Sequence, residues 1–288
     1  MASPSTTGSV RSADGTAIGY LRRGNGPGVV LVQGAMADAR AYDRFAELLS
    51  GSFTVFSADR RGRASSPRPY GQDHDLARDV EDIDAILRTT GTSTVFGLSS
   101  GAVITLEAAK TLPRIERAVV FEPPFYDHGI DRAGIARLGQ EIERGDLPSA
   151  LLDALLTAGT APAPLRRLPR PIARLLTGAL LALHVRTSGS ATSLRDLLPG
   201  VRYDFHDVSQ ANEHPERYQD LEKPLLVISG TKSPAFLQHA ARTLAARNPR
   251  AELVELPGLG HDGPWNSGRP GPVAEATLRF LTQDQPHR

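Results

Sequence analysis

The chain alternates short, nearly unbroken apolar runs with longer stretches in which apolar residues recur every three or four positions. The runs 27–32, 53–56, 94–96, 117–122, 224–230 and 252–256 are short and rich in Val, Leu, Ile and Phe. Such runs mark strands buried in a mainly parallel sheet. Helical spacing places Tyr42, Phe45, Leu48 and Leu49 on one side of a first helix, and Val80, Ile83, Ile86 and Leu87 on one side of a second. A third helix carries Val103, Leu106, Ala109 and Leu112 and stops at Pro113; two more cover 234–247 and 273–281. Ahead of all this, Asp14-Gly15 supplies turn chemistry for an opening hairpin between 9–12 and 16–21. Past Pro123 and Pro124, which halt a strand because proline cannot donate to a ladder, the pattern changes. Residues 127–215 hold helical stretches broken at 160–164 and 169–171, with no clear strand. The alternation therefore predicts an α/β fold in three segments: 1–126 as the first part of the core, 127–215 as an inserted helical cap, and 216–288 as the second part of the core.

One junction in this pattern carries chemistry. The run 94–96 leads through Gly97-Leu98-Ser99-Ser100-Gly101 straight into the third helix, a strand, a sharp turn and a helix with serine at the tip. Small flanking residues let such a turn pack tightly while the Ser99 hydroxyl stays exposed, the geometry of a nucleophile elbow. The helix N-terminus then directs free N–H groups and the positive end of its dipole at whatever Ser99 attacks. Composition narrows the alternatives. With no cysteine, disulfides, thiol nucleophiles and Cys-based metal sites are excluded. A net charge of +1 gives no electrostatic reason to expect nucleic acid or an anionic membrane as partner. Residues 1–8 are small and polar, unlike a signal peptide, and the most apolar stretch, 175–183, is too short to span a bilayer and runs on to His184 and Arg186. A cytoplasmic protein of 288 residues, in one large α/β domain with an insert, is expected.

Taken together these residues resemble the α/β-hydrolase superfamily over nearly the whole chain. Four landmarks fall in the family's order: Gln33-Gly34-Ala35, Asp59-Arg60-Arg61-Gly62, the Ser99 elbow, and Gly258-Leu259-Gly260-His261 after the last strand. The resemblance implies an eight-stranded, mostly parallel sheet flanked by helices, with the site at the C-terminal strand ends beneath the inserted helical cap. A serine hydroxyl needs a neutral imidazole to take its proton, and His261 is the candidate. Many members carry an Asp after the strand matching 225–229, but here that stretch reads Gly230-Thr231-Lys232-Ser233-Pro234. Glu122, at the end of the strand before the cap, is the replacement expected of a bacterial serine-hydrolase branch with a Glu acid there. Asp220 and Glu222 precede their strand, and Asp262 is poorly placed beside His261. The family's oxyanion hole maps to the N–H groups of Ala35 and Ser100, with Met36 a substitute for Ala35. Gln33 stands where the family commonly has His, and a glutamine amide there can still bridge loops; Asp59 and Arg60 are expected to fix a loop.

The function implied is a cofactor-independent, metal-free serine hydrolase cleaving a carboxylic ester or lactone through an acyl-enzyme on Ser99. The expected substrate is small and apolar or amphipathic, held by Met36, Phe125, Tyr126 and Trp265, with Phe236 and the leucines at 175, 176, 180, 181 and 183 adding apolar surface. Gln33 and the missing acid after Ile228 motivate an alternative on the same fold: a cyclase, lyase or small-molecule binding protein using the same pocket.

Overall fold

The computed structural model describes residues 4–183 and 190–283, so His184, Arg186 and the first three residues of the polar N-terminus lie outside the description. Eight strands form one sheet: β1 (Thr6–Arg11), β2 (Ala17–Arg23), β3 (Gly28–Val32), β4 (Thr54–Ala58), β5 (Thr94–Leu98), β6 (Arg117–Phe121), β7 (Leu225–Gly230) and β8 (Ala251–Leu256). Their order is β1-β2-β4-β3-β5-β6-β7-β8. β2 pairs antiparallel with both β1 and β4, and every other pairing is parallel. The opening hairpin turns where expected, with the Asp14 carboxylate accepting from the Thr16 N–H at 2.9 Å.

The apolar runs are continuous because the sheet is covered on both sides. In β3, Val29 and Leu31 face one core while Val30 and Val32 face the other; β6 divides Val119 and Phe121 from Ala118 and Val120 in the same way. Helix α1 (Asp43–Leu49) follows β3, α2 (Leu76–Thr90) follows β4, and α3 (Ser100–Thr111) follows β5. α2 starts where the Asp75 carboxylate caps the Ala77 N–H and ends at Gly91 with φ +68°. Two positions differ from the helical-face reading. Leu48 is 47% exposed, on the outer side of α1. Residues 100–109 of α3 are all buried, because α2 and α9 cover the sides that the sheet does not.

Between β6 and β7 the described residues form α4 (Arg132–Glu143), α5 (Leu147–Thr157), α6 (Ala163–Arg167), α7 (Arg170–Ala182), α8 (Leu194–Leu197) and α9 (Val201–Ala211). After β7 come α10 (Ala235–Arg247) and, beyond β8, α11 (Pro270–Thr282), which shares one face of the sheet with α1. The helical insertion is pinned to the loop after β3 by Asp38, whose carboxylate accepts from the Thr192 N–H at 2.8 Å. Within it, α7 is turned opposite to its sequence reading. Its small inner residues Ala173 and Thr177, with Leu181, are buried against α5, while Leu175, Leu176, Leu180 and the following Leu183 are exposed. Arg170 and Arg174 fix this orientation by pairing with Asp153 and Asp146 at 2.7 and 3.0 Å.

Candidate active site

The elbow is as sharp as its sequence requires. Ser99 sits between β5 and α3 at φ +55°, ψ −121°, a conformation that costs an L-residue on the order of 1–3 kcal/mol. Close packing enforces it. A Cβ on Gly97 would lie 2.2 Å from the Gly101 carbonyl oxygen, and one on Gly101 would lie 2.4 Å from that of Val32. The Ser99 N–H is anchored on the Phe121 carbonyl at 3.0 Å, so the neighbouring strand fixes the turn.

Glu122 closes the next strand in a second strained position, φ +51°, with no exposed surface. Its Oε1 accepts from the Gly230 N–H at 2.7 Å and from the Ser229 hydroxyl at 3.1 Å. Its Oε2 faces His261 Nδ1 at 2.6 Å. The end of β7, which supplies no carboxylate of its own, thus holds the carboxylate that β6 delivers. With Nδ1–H donated to Glu122, His261 presents Nε2 as the proton acceptor. Its ring is 20% exposed and shares a cavity wall with Ser99. Asp262 is exposed on that wall, and Glu222 is exposed ahead of β7.

The cavity has two lobes meeting at Ser99 and His261. One, about 50 Å³, is bounded by Tyr126, Ile130, Val208, Phe236 and Leu237; the other, about 390 Å³, by Met36, Leu155, Pro234 and Trp265. Ala35 and Phe205 line both. Larger surface clefts lie against α2 and between α4 and α9, but neither contains Ser99 or His261. Phe125 is not on the cavity wall: its ring packs 5.6 Å from that of Tyr218, because the chain turns at Pro124 and aims Tyr126 inward instead. The leucines of α7 are also absent from the wall.

Ala35, Ser99 and Ser100 line the same lobe, and Ser100 is the first residue of α3, where the helix itself offers its N–H no acceptor. Met36 takes a positive φ of 57°. The Gln33 amide does not bridge loops: it is fully buried and makes no hydrogen bond among the described residues. What holds this segment is charge. Arg60 Nη1 reaches the Gln33 carbonyl at 3.4 Å and Arg63 Nη1 the Gly34 carbonyl at 2.9 Å. Both arginines are buried and pair with Asp204 of α9, and Arg60 also binds Asp79 and Asp207 at 3.1 and 2.7 Å. Burial alone would raise the Asp204 carboxyl, but the guanidiniums of Arg63 and Arg60 more than offset it and hold it below the usual range.

Sequence reasoning assigned Asp59 and Arg60 to loop fixing, and Asp59 does accept from the Ala39 N–H at 2.7 Å and the Ser65 hydroxyl at 2.5 Å. It missed the network beyond. Nothing local in α9 marks Asp204 or Asp207 as partners of residues more than 140 positions away. His74 completes the cluster, 2.9 Å from Asp207 and 3.2 Å from Asp79. Burial would lower its pKa, but those carboxylates raise it to about 9. His74, Asp79 and Asp207 are close enough together to hold a metal ion, yet the Arg60 guanidinium already sits on both carboxylates as the cation.

A parallel sheet with a strained serine elbow at its C-terminal edge, and a His–Glu pair on the adjoining loops, defines an α/β hydrolase. The sequence matches the alpha/beta hydrolase family over residues 29–276, and the chain belongs to that family. It is 28% identical over 274 residues to the pimeloyl-[acyl-carrier protein] methyl ester esterase of Xanthomonas campestris pv. campestris, covering 90% of this chain and 96% of that one. It is 24% identical over 257 residues to the 2-(acetamidomethylene)succinate hydrolase of Mesorhizobium japonicum, covering 83% of each. The crystal structure of an alpha/beta hydrolase from Sphaerobacter thermophilus superposes with a TM-score of 0.76 at 30% identity, covering 96% of this chain and 100% of that one. These relatives carry names of hydrolases and esterases and support a hydrolase.

Proposed function

We propose that the protein is a cofactor-independent serine hydrolase that cleaves a neutral carboxylic ester or lactone, with the helices of the insertion acting as a cap over the site. The observation that carries this reading is the 2.6 Å contact between Glu122 Oε2 and His261 Nδ1, in a cavity that His261 shares with Ser99. Ser99 Oγ attacks the ester carbonyl while His261 Nε2 takes its proton, and Glu122 steadies the imidazolium that forms. The N–H groups of Ala35 and Ser100 receive the oxyanion, aided by the positive end of the α3 dipole. The intermediate collapses, and the alcohol leaves with the proton from His261. Water, deprotonated by the same imidazole, then releases the acid from Ser99. The Glu122 pair also favours hydrolysis over a cyclase, lyase or binding role, since it removes one of the two features, the missing acid, from which that alternative drew its support; Gln33 is the other.

The walls favour a neutral substrate. Among the described residues, no Lys or Arg lines either lobe; Asp262 contributes a carboxylate to the larger, and Asp204, already paired with Arg60 and Arg63, one to the smaller. A substrate carrying a free carboxylate, such as the succinate named for the Mesorhizobium relative, would find no cation there. The test is hydrolysis of a panel of p-nitrophenyl esters and lactones, with and without a free carboxylate, by the protein and by Ser99→Ala. Turnover of the neutral esters that the variant lacks is expected. Turnover undiminished in Ser99→Ala, or none on any neutral ester, would overturn the reading.

A further inference from the structure

Two backbone segments supply the oxyanion hole, the loop 33–36 after β3 and the first turn of α3. Both end on one side chain of the insertion. The Ser100 hydroxyl donates to Asp204 Oδ1 at 2.6 Å. Arg60 Nη1 lies 2.6 Å from that same oxygen and reaches the Ser100 hydroxyl at 3.1 Å and the Gln33 carbonyl at 3.4 Å. Arg63 grips the other carboxylate oxygen of Asp204 with Nη2 and the Gly34 carbonyl with Nη1. Asp204, Arg60 and Arg63 are each no more than 3% exposed.

We infer that Asp204 is a positioning residue for the hydrolysis proposed above, holding both halves of the oxyanion hole in register: α3 through the Ser100 hydroxyl, and the loop 33–36 through Arg60 and Arg63. The inference rests on that reading of the site. Its physical basis is that an oxyanion hole works only if its donors are in place before charge develops, so that no reorganisation is needed during reaction. Backbone N–H groups are aimed by fixing the peptides that bear them. Here the carbonyls of Gln33 and Gly34, the peptides preceding Gly34 and Ala35, are held from behind by guanidiniums. A buried ion network is a weak source of stability, because desolvation offsets much of its attraction. It is a strong source of fixed geometry, since each charge has one place to be.

The arrangement also explains why the charged residue comes from α9. Asp204 is followed by Phe205, which lines both lobes of the cavity, and Val208 one turn later lines the smaller lobe. The helix that shapes the substrate's space is therefore the one that anchors the oxyanion hole. Asp204 itself takes no part in proton transfer. It lines the smaller lobe, but its carboxylate is occupied by two guanidiniums and a hydroxyl, and its effect reaches the reacting atoms through Ser100, Gln33 and Gly34.

The test compares Asp204→Asn, Ser100→Ala and the double variant with the unmodified protein on its best ester. It reads kcat and KM separately, along with affinity for a trifluoromethyl ketone mimic of the tetrahedral intermediate and for the product acid. Loss of one oxyanion donor in other serine hydrolases costs about 10²–10³ in kcat, so loosening both donors with Asp204→Asn is expected to lower kcat about 10- to 100-fold. KM and product affinity should stay within about twofold, with ketone affinity falling in step with kcat. Ser100→Ala keeps the backbone N–H and cuts one arm only, so it should fall less, and the double variant should fall no further than Asp204→Asn. Wild-type kcat in either folded single variant overturns the inference, as does an equal loss of ketone and product affinity. If Asp204→Asn does not fold, Ser100→Ala decides alone. An unmodified protein inert toward every ester overturns the hydrolase reading and this inference together, whereas active protein with unaffected variants overturns only the inference.

Discussion

Ser99, His261 and Glu122 each depend on a different kind of restraint, and their substitutions separate these. Glu122 is charged with fixing one tautomer of His261 through a single 2.6 Å contact, while its other oxygen is held by Gly230 and Ser229. Glu122→Gln keeps the shape but loses the negative charge and one of the two acceptor oxygens, both of which are in use. It should lower kcat by about 10³- to 10⁴-fold, as loss of the corresponding carboxylate does in a well-studied protease. Ser233→Ala, in the loop where the acid of many relatives would stand, should change kcat by less than twofold. Reversal of these two results in steady-state assays would remove Glu122 from its role. At this scale the sequence was most readable where chemistry is local. Ser99 is announced by its glycines and His261 by its place after the last strand. Glu122 could be reached because the usual acid position is empty. The bridging open to the Gln33 amide is not taken up, since among the described residues that amide has no partner while Arg60 takes its carbonyl, and Phe125, expected to touch substrate, packs against Tyr218 instead. Asp204 and Arg63 gave no signal, since they meet across more than 140 positions, and His74 gave none because Asp207, its nearer partner, lies 133 positions away.

Among the elements, the sheet strands and their following helices are where pattern and structure agree, because continuous apolar runs and helical spacing are set by burial on both faces of the sheet. The insertion is less readable: an amphipathic helix has an apolar side, but the pattern does not say which side packs inward. In α7 the small Ala173 and Thr177 pack inward with Leu181, Arg170 and Arg174 pair with α5 and its N-cap from the rim, and Leu175, Leu176 and Leu180 face outward. Replacing Leu175 and Leu176 together by Gln should therefore leave KM for a good ester unchanged within about twofold; a tenfold rise would return them to the site. The contact of α2 with α9 has its own signature in pH. His74 is charged between Asp79 and Asp207, its pKa raised from 6.5 to about 9. A raised folded-state pKa means stabilisation present in full below about pH 6.5 and lost as pH rises through about 9, on the order of 3 kcal/mol at most. Thermal unfolding followed from pH 6 to 10 should show the steeper loss of Tm in the wild type than in His74→Gln. Parallel curves would contradict the charged state of His74.

At the scale of the whole molecule, the fold brings residues from six separate segments to one cavity: the loop after β3, the elbow, the stretch after β6, the insertion, the loop after β7 with the start of α10, and the loop after β8. Each strand end contributes one function, and the sheet keeps them in register. The insertion adds part of the apolar walls, Ile130, Leu155, Phe205 and Val208, and, through α9, the buried ions behind the loop 33–36 and the start of α3. With no cation on the described walls and Asp262 upon one of them, adding a free carboxylate to an ester should raise KM or lower kcat/KM by about 10-fold or more, a loss read by competing matched substrates. All of this stands on one claim, that Ser99 is an activated nucleophile. Intact-mass spectrometry after incubation with a fluorophosphonate tests it most directly, with Ser99→Ala as control. The account predicts one adduct per chain, mapped by peptide sequencing to Ser99 and absent from the variant. No adduct in folded protein, or one that persists in Ser99→Ala, would contradict it.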